Sequence, residues 1–154
     1  MKTFLVPIDF SAVTDHVVDT AVSLARSLDG KIVLVHIIQP PVVMGEDGLP
    51  IEVLQDAILN MEQAATKFLA RIGERVAKEG VKVETILGHG APAMNILEEA
   101  EKAAADFIVM GSHGHGKFYD LILGGTASRL VKRSKCAVII IPPEAKSTRK
   151  PTSP

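Results

Sequence analysis

The stretch Gly111-Ser-His-Gly-His-Gly-Lys-Phe-Tyr-Asp-Leu-Ile-Leu-Gly-Gly-Thr126 decides how this chain is read. It leaves an apolar run, Phe107 to Met110, with the length and composition of a buried strand. It carries five glycines and ends where a short helix with Ala127, Leu130 and Val131 begins. Glycine lets backbone N–H groups approach an anion with no side chain in the way. A helix N-terminus adds partial positive charge. Strand, glycine-rich turn and helix start, in that order, are the ingredients of a phosphate cradle. Lys117, Arg129, Lys132 and Arg133 make this stretch basic, against a net charge of -1 for the whole chain. The competing reading of the same glycines is an ordinary surface loop.

Working outward, strand and helix patterns alternate along the chain. Phe4 to Ile8 is a short apolar run. Ser11 offers an N-cap to the next helix, and Asp15 suits its first turn. That helix carries apolar residues at helical spacing from Val13 to Leu28 and is expected to stop at Gly30. Ile32 to Ile38 is mostly β-branched and reads as a second strand, followed by a proline-rich loop, Gln39 to Pro50. A long helix follows, with an apolar stripe of Leu54, Ala57, Ile58, Met61, Ala65, Phe68, Ile72 and Val76, ending at Gly80. Val81 to Leu87 alternates apolar and polar residues, as a half-exposed strand does. Pro92 opens another helix, Phe107 to Met110 is the fourth strand and Ala137 to Ile141 the fifth, stopped by Pro142 and Pro143. Such alternation predicts a mainly parallel sheet covered by helices on both faces. Ligands of such sheets bind past the carboxyl ends of the strands, where strand order reverses.

The 154 residues suit one domain, spanning 1–143, with a polar tail from 144 to 154 that is expected to be disordered. Hydrophobic residues make up 47% of the chain, enough for a packed core. The near-neutral charge gives no global attraction to nucleic acid or to an anionic membrane, so any anion site is local. No apolar run approaches the ~18 residues of a membrane span. The single cysteine, Cys136, precludes an internal disulfide and fits a reducing compartment. We expect a cytoplasmic protein.

Two better-known phosphate motifs come close and fail. Gly111-x-x-x-x-Gly116-Lys117 has P-loop spacing, but Phe118 stands where a Mg²⁺-binding Ser or Thr is needed. Gly88-His-Gly90-Ala-Pro-Ala93 matches a loose dinucleotide fingerprint. The acid that should follow it, Asp106, precedes a strand instead of closing one, and Pro92 removes an amide the pyrophosphate would use. His113 and His115 invite a metal hypothesis, but no Cys or acidic ligand stands at metal-site spacing around them.

The pattern that fits is Gly-x-x-Gly, nine residues, then Gly: Gly111, Gly114 and Gly124. Here the chain resembles the universal stress protein family, in its ATP-binding branch. The resemblance runs over roughly residues 2 to 142. It includes Val6-Pro7-Ile8-Asp9-Phe10-Ser11, Val33-Leu34-Val35-His36-Ile37, the turn Gly88 to Pro92, Ile108 to Gly114 and Ser134 to Pro142. It implies a five-stranded Rossmann-like sheet of order 3-2-1-4-5, with ATP, or ADP or AMP, across the gap between strands 1 and 4. It implies that Pro7 and Asp9 lie beside the adenosine and that the backbone of Ile37 reads the adenine edge. Gly111, Gly114, Gly124 and Gly125 would surround ribose and phosphates, with Met110, Ser112 and Thr126 beside them. Mg²⁺ would bridge the phosphates instead of sitting in a protein cage. A homodimer through the strand Ala137 to Ile141 is implied as well.

The family motif has Ser or Thr directly after its third glycine; here that place is Gly125, with Thr126 one step on. No nucleophile, base and orienter set emerges from the residues. Asp120 is the only acid in the glycine segment. The chain therefore reads as a nucleotide-binding regulatory module of the stress response, with at most weak ATPase activity. The alternative is a dimeric interaction module of the same fold that binds no nucleotide. His36 is expected to pack or hydrogen-bond within the sheet, Asp9 to cap the helix after it or to touch ligand, and Cys136 to pack.

Overall fold

The computed structural model describes residues 1–41, 48–113 and 123–144. Nine elements alternate along them: β1 (Lys2–Pro7), α1 (Thr14–Ser27), β2 (Gly30–Ile38), α2 (Ile51–Lys78), β3 (Lys82–His89), α3 (Pro92–Lys102), β4 (Phe107–Gly111), α4 (Gly125–Arg133) and β5 (Ala137–Ile141). The strands form one sheet in the order β3-β2-β1-β4-β5, parallel at every pairing. A parallel sheet is what the alternation predicts, and its order is the one the family resemblance implies. Among the described residues no helix is long and apolar enough to cross a membrane.

Both faces of the central strands are buried, which is why they read as continuous apolar runs and not as alternating ones. Phe4, Val6, Ile32 and Leu34 face Val17, Ala21, Leu69 and Val76 of α1 and α2. Leu5, Val33, Val35 and Ile108 face Ile96 of α3 and Leu130 of α4. β3 and β5 are the sheet edges. β3 alternates and carries the charged Lys82 and Glu84, which blunt it; β5 has neither charge nor alternation.

Three expectations need correction. Gly30 does not stop α1. Asp29 takes the left-handed conformation there, with φ 49°, and Gly30 already belongs to β2. Its missing side chain makes room for a ring: a Cβ would lie 2.6 Å from Phe4 Cε2. Nor does Ser11 cap α1, which begins only at Thr14 and has no side-chain cap. Instead Ser11 donates its N–H to Asp9 Oδ1 (3.0 Å) and accepts from Thr14 N–H (3.1 Å), so residues 9–14 make a turn of their own.

The long stripe of α2 is only half core. Ala65, Leu69, Gly73 and Val76 are buried, whereas Met61 and Phe68 are 40% and 47% exposed. At ~1.5 Å per residue a helix of this length outruns the strands beneath it, so its N-terminal half has no sheet to cover. In α4, Val131 points outward and is half exposed. Gly80 ends α2 with φ 79°, and Pro92 opens α3, as read from the sequence. Cys136 is half-buried and packs against the apolar cluster on the α3 and α4 face. Most of the polar tail, from residue 145 on, lies outside the described residues.

Candidate functional site

Strand order reverses between β1 and β4, and a cleft of about 340 Å³ opens at their carboxyl ends. Pro7, Asp9, Ile37, Met110, Gly111, Ser112, Gly124, Gly125 and Thr126 line it. These come from β1, β2, β4 and α4 and from the turns after the strands, so the fold gathers in one place residues that are far apart in sequence. Gly114, the remaining expected contact, lies outside the described residues, as do His115, Lys117 and Asp120.

The β2 side of the cleft has a backbone edge to offer. In a parallel ladder each residue points its N–H and C=O at the same neighbour, and alternate residues face the same side. Val35 accepts from Ile8 N–H (2.9 Å) on the β1 side, and Ile38 accepts from Gly90 N–H (2.9 Å) on the other. Ile37 therefore faces the β1 side, just where β1 has ended. Pro7 is the last β1 residue in register, opposite Val35. The Ile8 carbonyl, which would continue the ladder, accepts instead from His36 Nδ1 at 2.8 Å. Because a carbonyl only accepts, Nδ1 carries the proton. Phe10 then turns the chain away through a left-handed φ of 58°, its ring 4.3 Å from that of His36 and 5.1 Å from that of Phe68. A bulky residue in that conformation costs about 1–3 kcal/mol and persists only where its surroundings hold it. Here the two flanking rings do so. His36 thus hydrogen-bonds and packs, as expected.

Asp9 is half-buried, and its Oδ1 holds the Ser11 N–H ahead of α1. Asp9 therefore does not cap α1, whose N-cap residue is Val13; it holds the turn that precedes the helix. Thr14 is buried at the cleft wall, and its Oγ1 has no partner among the described residues.

The other end of the cleft is built from two crossings of the glycine segment. Ser112 donates its N–H to Ile141 (3.0 Å), and Gly124 donates to the Ser112 carbonyl (2.9 Å). These bonds close the neck of the segment and use two amides that the sequence reading left for a ligand. The N–H groups of Gly125, Thr126 and Ala127, at the start of α4, have no acceptor inside the helix. At this end of the cleft, among the described residues, the amides left to an anion are those of the α4 N-terminus. Gly111 and Gly124 sit at close approaches. A Cβ on Gly111 would lie 3.1 Å from Val13 Cγ2, and one on Gly124 would lie 3.3 Å from the Ser112 carbonyl. Gly125 is different: a Cβ there would meet nothing within 4 Å.

The described basic residues of this stretch, Arg129, Lys132 and Arg133, do not line the cleft. No Lys or Arg is among the described residues lining the cleft; Lys132 and Arg133 occupy the last turn of α4, away from it. Ser112 Oγ and His113 Nδ1 share a hydrogen bond of 3.0 Å at the cleft wall. Among the described residues no group of three or more His, Cys, Asp or Glu side chains could hold a metal ion. Asp106, the acid of the failed dinucleotide fingerprint, lies at the opposite end of the sheet. It clamps the start of β1, accepting from Thr3 N–H (2.8 Å) and Lys2 Nζ (2.9 Å). The Thr3 amide, and after it the Lys2 ammonium, hold its carboxyl below the usual carboxylate range.

Sequence reasoning missed further lining positions, among them Gln39, Pro92 and Ile96. Gly90, at φ 113°, turns the chain from β3 into α3 and brings Pro92 and Ile96 to the cleft. The signal was available: the turn from Gly88 to Pro92 was recognised, but not that it faces the same gap.

Comparison with known proteins agrees with this architecture. The universal stress protein from Lactobacillus plantarum superposes with a TM-score of 0.80 at 22% identity, covering 91% of this chain and 97% of that one. The universal stress protein from Archaeoglobus fulgidus in complex with dAMP superposes with a TM-score of 0.64 at 22% identity, covering 91% and 97%. Universal stress protein MJ0531 of Methanocaldococcus jannaschii is 30% identical over 142 residues, which cover 91% of this chain and 81% of the relative. The family model described as the universal stress protein family matches residues 1–142. With fold and sequence in agreement, the chain belongs to the universal stress protein family.

Proposed function

We propose that the cleft between the ends of β1 and β4 binds an adenine nucleotide, ATP first and ADP or AMP by the same contacts. The protein would act as a nucleotide-responsive regulatory module of the stress response. The observation that carries this reading is the pairing, across one cleft, of two backbone features that have no partner among the described residues. At one end the N–H and C=O of Ile37 face a gap in the ladder. At the other the α4 N-terminus presents amides to an anion. An N–H beside a C=O matches a ring nitrogen beside an exocyclic amine, as adenine carries. A helix N-terminus matches phosphate. The A. fulgidus relative solved with dAMP supports the same ligand class. Mg²⁺ would enter on the phosphates, since the described residues offer it no cage.

In this reading Pro7 and Asp9 contact the adenosine. Met110, Gly111 and Ser112 form the floor, Gly114 and Gly124 shape the glycine segment, and Gly125 and Thr126 meet phosphate. β5, an uncharged sheet edge, joins two copies into a homodimer. A cytoplasmic location, where adenine nucleotides are kept, belongs to the same account, as does a single domain over residues 1–143. Hydrolysis, if present, is weak and incidental.

The test is to extract the purified protein with acid and to titrate it with ATP by calorimetry. Stoichiometric adenine nucleotide in the extract, or saturable binding with a rise in melting temperature, supports the reading. An empty extract with no binding and no thermal shift would favour the nucleotide-free interaction module. Two observations give that second reading its footing. The serine or threonine of the family motif is replaced by Gly125, and the Gly124 amide is already used within the chain.

A further inference from the structure

The β2 end of the cleft holds more than the backbone edge of Ile37. Gln39 follows two residues later. Alternate side chains of an extended strand share a face, and Val35 and Ile37 both belong to the apolar cluster under α3 and α4. Gln39 falls on that face, and it lines the same cleft as Pro92 and Ile96. Pro40 and Pro41 come directly after it. A residue before proline is confined to extended conformations, because the proline ring clashes with it in the helical region. Gln39 is thereby held in line with β2, its side chain exposed at the cleft rim.

The hydrogen-bonding pattern of Ile37 does not by itself define a base. It needs a ring nitrogen acceptor beside an exocyclic amine. Adenine supplies this at N1 and N6, and cytosine at N3 and N4. Guanine and uracil present the opposite polarity there. A carboxamide carries an acceptor and a donor side by side, the complement of adenine N6–H and N7. Cytosine has only a C–H where N7 would stand.

We propose that Gln39 reads the N6 and N7 edge of an adenine whose N1 and N6 edge lies against the Ile37 backbone, so that this cleft takes adenine and rejects cytosine. The assignment rests on the nucleotide reading above and deepens it to base specificity.

The test uses the full chain, wild type and Gln39→Leu, titrated with ATP, 7-deaza-ATP and CTP. 7-Deaza-ATP keeps N1 and N6 and replaces N7 with a C–H. Wild type is expected to bind 7-deaza-ATP roughly tenfold more weakly than ATP, the scale of one unmet hydrogen bond. Gln39→Leu is expected to lose about the same factor toward ATP, to bind ATP and 7-deaza-ATP alike, and to discriminate less against CTP. Because Gln39 is exposed, melting temperature should be unchanged, which separates lost recognition from lost fold. Equal binding of ATP and 7-deaza-ATP by wild type, or discrimination that survives in Gln39→Leu, would overturn the assignment alone. Absence of binding by any of the three nucleotides would overturn the nucleotide reading, and this assignment with it.

Discussion

Gly125→Ser is the most informative single substitution in the site. The structure says that the serine fits: a Cβ at Gly125 meets nothing within 4 Å, and the residue opens α4 without a left-handed backbone. It would restore the hydroxyl that the family motif places after its third glycine. If phosphate sits at the α4 N-terminus, that hydroxyl adds a donor to a charged acceptor, worth about 1.5–3 kcal/mol net. At ~1.4 kcal/mol per decade this is roughly a ten- to hundredfold gain in ATP affinity. Replacing glycine in a helix adds at most about 0.5 kcal/mol to the fold itself, so the melting temperature without ligand should rise only slightly. Calorimetric titration with ATP reads the first effect. Adenosine, which has no phosphate, is the control and should bind both proteins alike. An unchanged ATP affinity in a normally folded Gly125→Ser protein would refute the reasoning. The phosphates would then lie elsewhere.

Three further substitutions test other parts of the account. Ile141 points its carbonyl at Ser112 of the β4 side, so Val138 and Ile140 point their backbone groups out of the free edge; Val138→Pro therefore spares the β4 ladder. It should give a folded monomer in light scattering, and a dimer that persists would contradict pairing through β5. Asp106→Asn should lower stability near neutral pH. A carboxyl held below its ordinary value stabilises the fold above that value, here 3.8, and the contribution is lost as pH falls below it. The melting temperatures of variant and wild type should therefore converge in acid, and a gap that widens there would contradict the clamp. Gly30→Ala forces a methyl to 2.6 Å from the Phe4 ring. Overpacking of this kind costs about 1–3 kcal/mol in urea unfolding, and a loss under about 0.5 kcal/mol would show that the ring can retreat freely.

Local chemistry was legible where one residue type dictates the outcome. β5 was read to the residue, because a β-branched run stands between Cys136 and Pro142. Gly80 and Pro92 were read correctly because φ is what distinguishes glycine and proline from other residues. What failed depends on neighbours that are distant in sequence. In Asp29-Gly30 either residue can take the left-handed position, and only the Phe4 ring packed against Gly30 decides which. Periodicity identified a face of α2, but not that the strands beneath it run out before Met61. Strand order came from family resemblance, not from alternation, which fits several orders equally well.

The site divides along the same line. Its residues came from the glycine spacing and, for the rest, from the family resemblance, and the fold brings the nine described ones to one cleft. Which amides are free could not be read. Gly124 is engaged because its own segment closes on Ser112, and the Ile37 edge is left unpaired among the described residues because β1 stops at Pro7 and His36 takes the Ile8 carbonyl. Basic residues near a glycine segment suggested charge at the site, yet a helix of nine residues carries Lys132 and Arg133 to its far end.

Amide nitrogen–proton correlation spectra recorded while ATP is added test the central claim most directly. The account predicts that the amides of Ile37, Gly125 and Thr126 shift most, together, and saturate at one nucleotide per chain. Shifts confined to other surfaces, or an unchanged spectrum in excess ATP, would contradict it.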